Sequence, residues 1–185
     1  MHGLFVDGFI LYDGSQLASL WAYKNFRLQG DSIIAFLGPC DVQIEEMVDQ
    51  EDVLDGAFIY SENMVHFIIE HFDMDLEKAI TRQRLFVAIL RDVLLELGAP
   101  GEIRREGDDL YLSDRKASVS IATLSPVSSL IHTAINISSN NTPVKTIGLT
   151  DLAIAPETLA RRVLEQYRNE IGSIKMARCK VRGVG

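Results

Sequence analysis

The most regular hydrophobic pattern in the chain lies between residues 75 and 98. Asp75 can cap the start of a helix there, and Glu77 suits the positive end of its dipole. Gly98 and Pro100 are typical of the end of a helix. The pattern therefore predicts one long amphipathic helix, because apolar residues at spacings of three and four mark a single buried face. The residues of that face are Leu76, Ile80, Val87, Leu90, Val93, Leu94 and Leu97.

The segments before this helix alternate between short apolar runs and turn residues. Asp7-Gly8, between two apolar runs, predicts a β-hairpin because both positions of a type I′ turn tolerate positive φ. Gly38-Pro39 predicts the end of a buried strand, and Ser15 can cap a short helix. The elements predicted here are hairpin strands at 4–6 and 9–12, a strand at 32–37, a helix at 44–55, and strands at 57–60 and 64–72.

The second half of the chain is richer in predicted strands. Strands are expected at 103–105, 109–112, 117–123, 131–138 and 144–149, a helix from Pro156, and a closing strand at 174–181. Because these strands occur in groups and do not alternate with helices, the pattern favours an α+β fold. Its sheet should be mixed and mostly antiparallel, with helices packed on it. No repeat or linker divides the chain, so residues 1–185 are predicted to form a single domain.

Composition and charge narrow the classes of function. The 185 residues are 47% hydrophobic, carry a formal net charge of −8 and contain no apolar run of 18 residues. A membrane span is therefore not expected, and nucleic-acid binding is not expected because an acidic chain repels phosphate groups. The N-terminus lacks the features of a secretory signal, and Cys40 and Cys179 are too few for a disulfide scaffold or a structural zinc site. These features predict a cytoplasmic protein with no metal site.

The run from residue 107 to residue 122 is the main candidate for chemistry. A strand leads into Arg115-Lys116 and then into a strand of small residues from Ser118 onward, which leaves room for a ligand beside a cation. A lysine there can hold a phosphate or carboxylate and stabilise a developing anion. Lys116 is the candidate catalytic residue, and Asp109, Arg115 and Ser118 are candidates for ligand binding. The alternative is a hairpin with an exposed basic turn.

Six further residues are candidates for ligand binding: Arg27, Cys40, His66, Glu70, His132 and Asn136. His66 and Glu70 share one face of a predicted strand, where they could act as a base and its orienting carboxylate. His132 and Asn136 share a face in the same way. Cys40 follows Gly38-Pro39 and could present a reactive thiolate. The alternatives are a polar pair in the core, an inert buried cysteine and, for Arg27, an ordinary turn.

The segment Asp108-Asp109-Leu110-Tyr111, followed by Arg115-Lys116-Ala117-Ser118, resembles a strand and turn of the biotin and lipoate protein ligases. Residues 131–137 resemble the strand that follows, which ends in an asparagine. The chain as a whole resembles an uncharacterised archaeal family, on stretches at 30–34, 36–40, 64–70 and 118–123. The resemblance implies a biotin/lipoate ligase-like fold of the class II aminoacyl-tRNA synthetase type. It also implies a small-molecule ligand, with Lys116 where the ligases contact an acyl-adenylate.

Two departures from the ligase pattern bear on the activity. The ligases carry an arginine-rich loop with three consecutive glycines, whereas residues 55–66 contain only Gly56. Octanoyl transferases use a cysteine after the lysine, and none occurs between Lys116 and Cys179. One hypothesis is an acyl transferase or ligase that binds an acyl or carboxylate ligand. The other is a non-catalytic ligand- or partner-binding module with the same fold. The use of ATP and the formation of a homodimer stay open.

Overall fold

The computed structural model describes residues 1–56, 59–142 and 144–185. Its helices are α1 (Trp21–Phe26), α2 (Gln50–Asp55), α3 (Leu76–Glu96) and α4 (Pro156–Ala177). Its strands are β1 (His2–Phe9), β2 (Ser32–Val42), β3 (Ile59–His71), β4 (Ile103–Glu106), β5 (Asp109–Leu112), β6 (Arg115–Lys116), β7 (Ser118–Leu124) and β8 (Ser129–Asn136). A five-stranded sheet has the order β1-β2-β3-β8-β7, and a three-stranded sheet has the order β4-β5-β6.

The large sheet is mixed and mostly antiparallel, which confirms the α+β fold predicted from the sequence. β1 and β2 run parallel, whereas β2–β3, β3–β8 and β7–β8 pair antiparallel. The small sheet is antiparallel as well. It abuts the end of β7, because the backbone N–H of Ala117 donates to the carbonyl of Leu110. This junction brings β5 and β6 beside the large sheet.

Two hydrophobic layers lie on opposite faces of the large sheet. Successive side chains of a strand point to opposite faces of the sheet. In β2, Ile33 and Ala35 therefore pack in one layer, and Ile34 and Phe36 pack in the other. The first layer is covered by α3, over β7 and β8, and by α4, over β1 and β2. Asp75 caps α3 as predicted, and its side chain accepts from the N–H of Lys78. The second layer is covered by α1 and the chain around Met47, and the candidate site lies there.

The predicted N-terminal hairpin is wrong. Residues 2–5 and Phe9 pair in parallel with β2, and the register shifts between Phe5 and Phe9 where Asp7-Gly8 lies. The Asp-Gly pair thus lies at an irregularity within the edge strand β1. The chain does not reverse there, because the residues before the pair and after it both find backbone partners on the long buried strand β2. Gly38-Pro39 does not end β2 either. The strand continues to Val42, with a register shift against β3 between Gly38 and Cys40.

Other element boundaries also differ from the predictions. The strands expected at 57–60 and 64–72 are one strand, β3, although residues 57 and 58 lie outside the described part of the chain. The helix expected at 44–55 is a single 3₁₀ turn, Ile44–Glu46, and then α2. In place of a strand at 144–149, Thr146 makes one isolated bridge with Lys116. The closing strand at 174–181 is wrong, because α4 continues through Ala177.

Candidate functional site

A cavity of about 410 Å³ opens on the face of the sheet opposite α3 and α4. Its apolar wall includes Tyr12, Val42, Met47, Met64, Val119 and Ile121. Its polar wall includes Ser61, Asp109, Lys116, Ser118, His132 and Asn136. A concave site with an apolar body and a few converging polar groups is the usual form of a small-molecule site.

Lys116 and Asp109 form an ion pair in the cavity wall. The Nζ of Lys116 lies 2.8 Å from Oδ2 of Asp109, and the side chains are 30% and 23% exposed. The backbone of Lys116 is fixed on its other side, where it bonds the carbonyl of Lys145 and the N–H of Ile147. Lys116 thus faces the concave surface beside β7, whereas Arg115 is exposed.

The protonation states of this pair follow from burial and mutual attraction. Burial lowers the pKa of Lys116, but its hydrogen bond and charge contact with Asp109 outweigh that effect and leave the pKa above its usual value. Burial raises the pKa of Asp109 above its usual value, and Lys116 offsets only part of that rise. The ion pair therefore favours the ammonium form of Lys116, whereas burial makes the carboxylate of Asp109 easier to protonate than an exposed one.

The floor of the cavity is a stack of rings. The Tyr12 ring lies 3.7 Å from that of His132, centre to centre, at an angle of 14°. His66 lies behind them, 5.0 Å from Phe36 and 5.2 Å from Tyr12. The Nδ1 of His66 is 3.1 Å from Nε2 of His132, and Nε2 of His66 is 3.1 Å from the carbonyl of Gly38.

Both histidines of the floor are neutral at pH 7. Burial lowers the pKa of His66 to about 4, although its contact with the Gly38 carbonyl opposes the shift. Burial, and then the neighbouring His66, hold the pKa of His132 well below its usual value. The floor therefore offers uncharged hydrogen-bonding groups and no cation.

Two hydroxyls position the polar wall near Lys116. The Ser61 hydroxyl donates to Oδ1 of Asn136 at 3.2 Å, and both residues are buried. That bond leaves the two N–H donors of the Asn136 amide as the groups it can offer to a ligand. The Ser118 hydroxyl accepts from the N–H of Leu110 at 2.9 Å and so joins the two sheets beneath the cavity.

Five of the ten residues predicted for the site line one cavity: Asp109, Lys116, Ser118, His132 and Asn136. His66 lies directly behind His132. The predicted pairing of His66 with Glu70 is wrong, because Glu70 accepts from the backbone N–H of Leu20 and from the hydroxyl of Ser128.

The other predicted residues lie elsewhere. Arg27 and Arg115 are exposed and are not among the residues that line the cavity. Cys40 is fully buried, and burial raises the pKa of its thiol to about 12. The prediction of a reactive thiolate at Cys40 is therefore wrong, because a thiol with that pKa stays protonated at neutral pH.

Several lining residues were not predicted from the sequence. Tyr12, Met47 and Ser61 come from segments far apart in the chain, and no local pattern marks them. The cavity is also bordered by carboxylates other than Asp109, namely Glu46, Asp49, Glu51, Asp52 and Asp108. Among the described residues, no group of His, Cys, Asp or Glu side chains is arranged to hold a metal ion. None of the described helices is long and apolar enough to cross a membrane.

Comparison with known proteins identifies the family. The model of the family described as "Domain of unknown function (DUF366)" matches residues 1–182. The chain belongs to the DUF366 family. An uncharacterized protein of Methanocaldococcus jannaschii is 38% identical over 179 residues, which are 93% of this chain and 80% of that protein. A protein of unknown function from Pyrococcus horikoshi has a TM-score of 0.94 and 40% identity, covering 100% of this chain and 99% of its own.

More distant structures share the fold of this DUF366 protein. A mutant biotin protein ligase from Aquifex aeolicus, in complex with biotin, has a TM-score of 0.63 and 12% identity over 95% of this chain and 72% of its own. A proposed lipoate protein ligase from T. acidophilum, with bound lipoic acid, has a TM-score of 0.59 and 16% identity over 92% and 85%. The biotin/lipoate ligase-like fold expected from the sequence is thus confirmed.

Proposed function

We propose that this DUF366 protein binds a small molecule with a carboxylate or acyl group in the cavity beside Lys116. The observation that carries the proposal is a half-buried ammonium in the polar wall of a cavity that also has an apolar wall, in a fold shared with structures that hold biotin and lipoic acid. Lys116 holds the anionic end of the ligand. Asp109 orients the ammonium, and the apolar wall receives the body of the ligand.

The geometry allows Lys116 to hold Asp109 and a ligand together. An ammonium has three N–H donors, and Asp109 needs one of them. Asn136 brings two more N–H donors to the same wall, and its backbone N–H bonds the carbonyl of Ala117, next to Lys116. A carboxylate placed between Lys116 and Asn136 would thus be met by donors from two strands.

A non-catalytic ligand- or partner-binding module is the second candidate function. The observation that favours it is the burial of Cys40, whose protonated thiol cannot serve as the nucleophile of an acyl transferase. The absence of a triple-glycine loop from residues 55–66 points the same way, because such a loop cradles the adenylate in the ligases. Under this candidate the cavity binds its ligand and releases it unchanged.

A thermal-shift screen tests ligand binding, and a chemical assay separates the two candidates. The screen uses octanoate, lipoate, biotin and amino acids, each alone and with ATP and Mg²⁺. A ligand at 100 times its Kd should stabilise the fold by about 2.7 kcal/mol. Pyrophosphate release with ATP and the bound acid would support a ligase, and its absence with a ligand that binds would support the module. If no acid raises the melting temperature, the proposed function is wrong.

A further inference from the structure

The hydrogen bonds of His66 fix the position of the proton on His132. The carbonyl of Gly38 can only accept, so Nε2 of His66 carries the proton that it donates over 3.1 Å. Because neutral imidazole has one proton, Nδ1 of His66 is an acceptor. The Nε2 of His132 lies 3.1 Å from that acceptor and must be its donor. Nδ1 of His132 is then unprotonated.

The ring of His132 cannot easily turn to exchange these roles. It stacks on Tyr12 at 3.7 Å and lies only 4% exposed in the floor of the cavity. Its Nε2 edge is turned toward His66, which is not among the lining residues. The nitrogen that the ring has left for a ligand is therefore Nδ1, which carries a lone pair and no proton.

We propose that His132 is a specificity-determining residue whose Nδ1 accepts a hydrogen bond from an N–H or O–H group of the ligand. The ligand class is accordingly bifunctional, with a carboxylate or acyl end at Lys116 and a hydrogen-bond donor at the other end. The identity of the first end rests on the proposed function, whereas the donor end rests on the His66–His132 geometry alone.

The strand register gives the spacing between the two ends. Asn136, beside Lys116, and His132 lie on the same face of β8, four residues apart. At about 3.3 Å per residue, that separation is about 13 Å between Cα atoms. An acid of roughly eight carbons, with the donor on its last carbon, approaches this span once the side chains reach inward. The carboxylates that border the cavity are acceptors too, so a ligand with a donor is favoured over a ligand with a second acceptor.

The first experiment measures the tautomer in the ligand-free protein. Histidine is labelled with ¹⁵N, and long-range ¹H–¹⁵N correlations through the ring identify which nitrogen carries the proton. We expect His132 protonated on Nε2 and unprotonated on Nδ1, with His66 also protonated on Nε2. A proton on Nδ1 of His132 overturns the proposal, because the floor would then present a donor. The variant His132→Phe assigns the signals.

The second experiment compares two matched ligands by calorimetric titration. Octanoate and 8-hydroxyoctanoate differ only in the terminal hydroxyl. We expect the hydroxy acid to bind roughly threefold to tenfold more tightly, the gain of one net hydrogen bond. The variant His132→Phe keeps a ring to stack on Tyr12 but has no lone pair, so the ratio of the two Kd values should fall to one or below. In His66→Phe the tautomer is no longer fixed, and the ratio should fall part of the way.

The control is His71→Phe. His71 is a buried histidine of β3 on the opposite face, where Nε2 contacts the hydroxyl of Tyr167. Its loss should lower the stability of the fold and leave the ratio of the two Kd values unchanged. If octanoate binds through Lys116 but the hydroxyl adds nothing in the wild type, this inference fails and the proposed function stands. If neither of these two acids nor any other acid of the thermal-shift screen binds, the proposed function fails, and the bifunctional ligand class fails with it.

Discussion

Lys116 is the residue whose placement most constrains the chemistry of the cavity. Its stem passes through a partly buried wall, and its ammonium is held by Asp109 at 2.8 Å. The exposed Arg115 beside it is not among the residues that line the cavity. Lys116 and Arg115 are adjacent cations of the same strand, but only Lys116 has access to a ligand enclosed in the cavity.

Replacing Lys116 with Ala should weaken the binding of octanoate by about tenfold to a hundredfold. The reason is that a hydrogen bond to a charged group contributes about 1.5–3 kcal/mol. Lys116→Arg should restore only part of the affinity, because the planar guanidinium has a different shape and reach. Arg115→Ala is the matched control and should bind like the wild type. Equal Kd values for wild type and Lys116→Ala, by calorimetric titration, would remove Lys116 from the site.

The buried histidine His66 should make the fold sensitive to mild acid. Burial holds its pKa near 4 in the folded protein, whereas in the unfolded chain the pKa is about 6.5. Because the folded pKa is the lower one, the unfolded state takes up the proton first. Stability is therefore complete above pH 6.5 and is lost as the pH falls toward 4, by on the order of 2–4 kcal/mol for this group.

Denaturant unfolding of wild type and His66→Phe at several pH values measures this effect. The variant should lose less stability between pH 6.5 and pH 4 than the wild type does. Phe36→Leu is the control, because it removes the ring that stacks on His66 and keeps the titrating group. It should lower stability at every pH by a similar amount. Parallel pH profiles for wild type and His66→Phe would contradict the assignment.

Among the helices and strands, the elements marked by local signals were predicted correctly, whereas the pairing of segments far apart in the chain was not. The sequence revealed α3 and α4, because a cap at Asp75, a proline at the start of α4 and a periodic apolar face all lie within the element itself. It did not reveal that β1 pairs in parallel with β2, because that pairing depends on a partner some 30 residues away. The Asp-Gly signal at 7–8 is local and was overridden by that partner.

The residues of the candidate site also fall into those marked by a local signal in the sequence and those whose place depends on distant contacts. Asp109 and Lys116 were predicted together because they lie in one run of the sequence, seven residues apart, and the structure places them on the paired strands β5 and β6. His132 was predicted, but its partner His66 was assigned to Glu70, since the contact between neighbouring strands depends on the register of β3 against β8. Tyr12 was missed because its place in the floor depends on a bridge to Cys40.

Gly38 links the packing of β2 to the floor of the cavity. The segment 10–12 runs along β2, with the N–H groups of Ile10 and Tyr12 bonded to the carbonyls of Leu37 and Pro39. A Cβ atom at Gly38 would overlap the backbone carbonyl of Ile10. Any side chain there must push this segment, and with it Tyr12, away from the sheet.

Gly38→Ala should therefore destabilise the fold by about 1–3 kcal/mol and also weaken ligand binding. Gly172→Ala is the matched control. Gly172 lies within α4, where a Cβ atom would meet nothing within 4 Å, so alanine should stabilise the helix by up to about 1 kcal/mol. Melting temperatures and calorimetric titration with octanoate measure both effects. A melting temperature for Gly38→Ala equal to that of the wild type would show that the segment can shift at no cost.

At the scale of the whole molecule, the net negative charge repels the anionic ligand that Lys116 attracts. The chain carries a net charge of −8, and among the described residues six carboxylates but one ammonium line the cavity. Glu46 and Glu51 are exposed, so salt screens their charges, whereas the half-buried Lys116 is screened less. The repulsion at the rim and the attraction at Lys116 should therefore respond differently to ionic strength.

Octanoate should consequently bind more tightly as salt is raised from 0.01 M to 0.1 M, where the screening length falls from about 30 Å to about 10 Å. The double variant Glu46→Gln/Glu51→Gln should bind octanoate more tightly than the wild type at low salt and show a smaller dependence on salt. Glu157→Gln/Glu165→Gln on α4 removes the same charge from the other side of the sheet and should have a weaker effect. Calorimetric titrations at several salt concentrations measure the three proteins. An affinity that falls with added salt in the wild type would mean that the attraction to Lys116 is itself exposed and screened, and that the acidic rim does not govern entry.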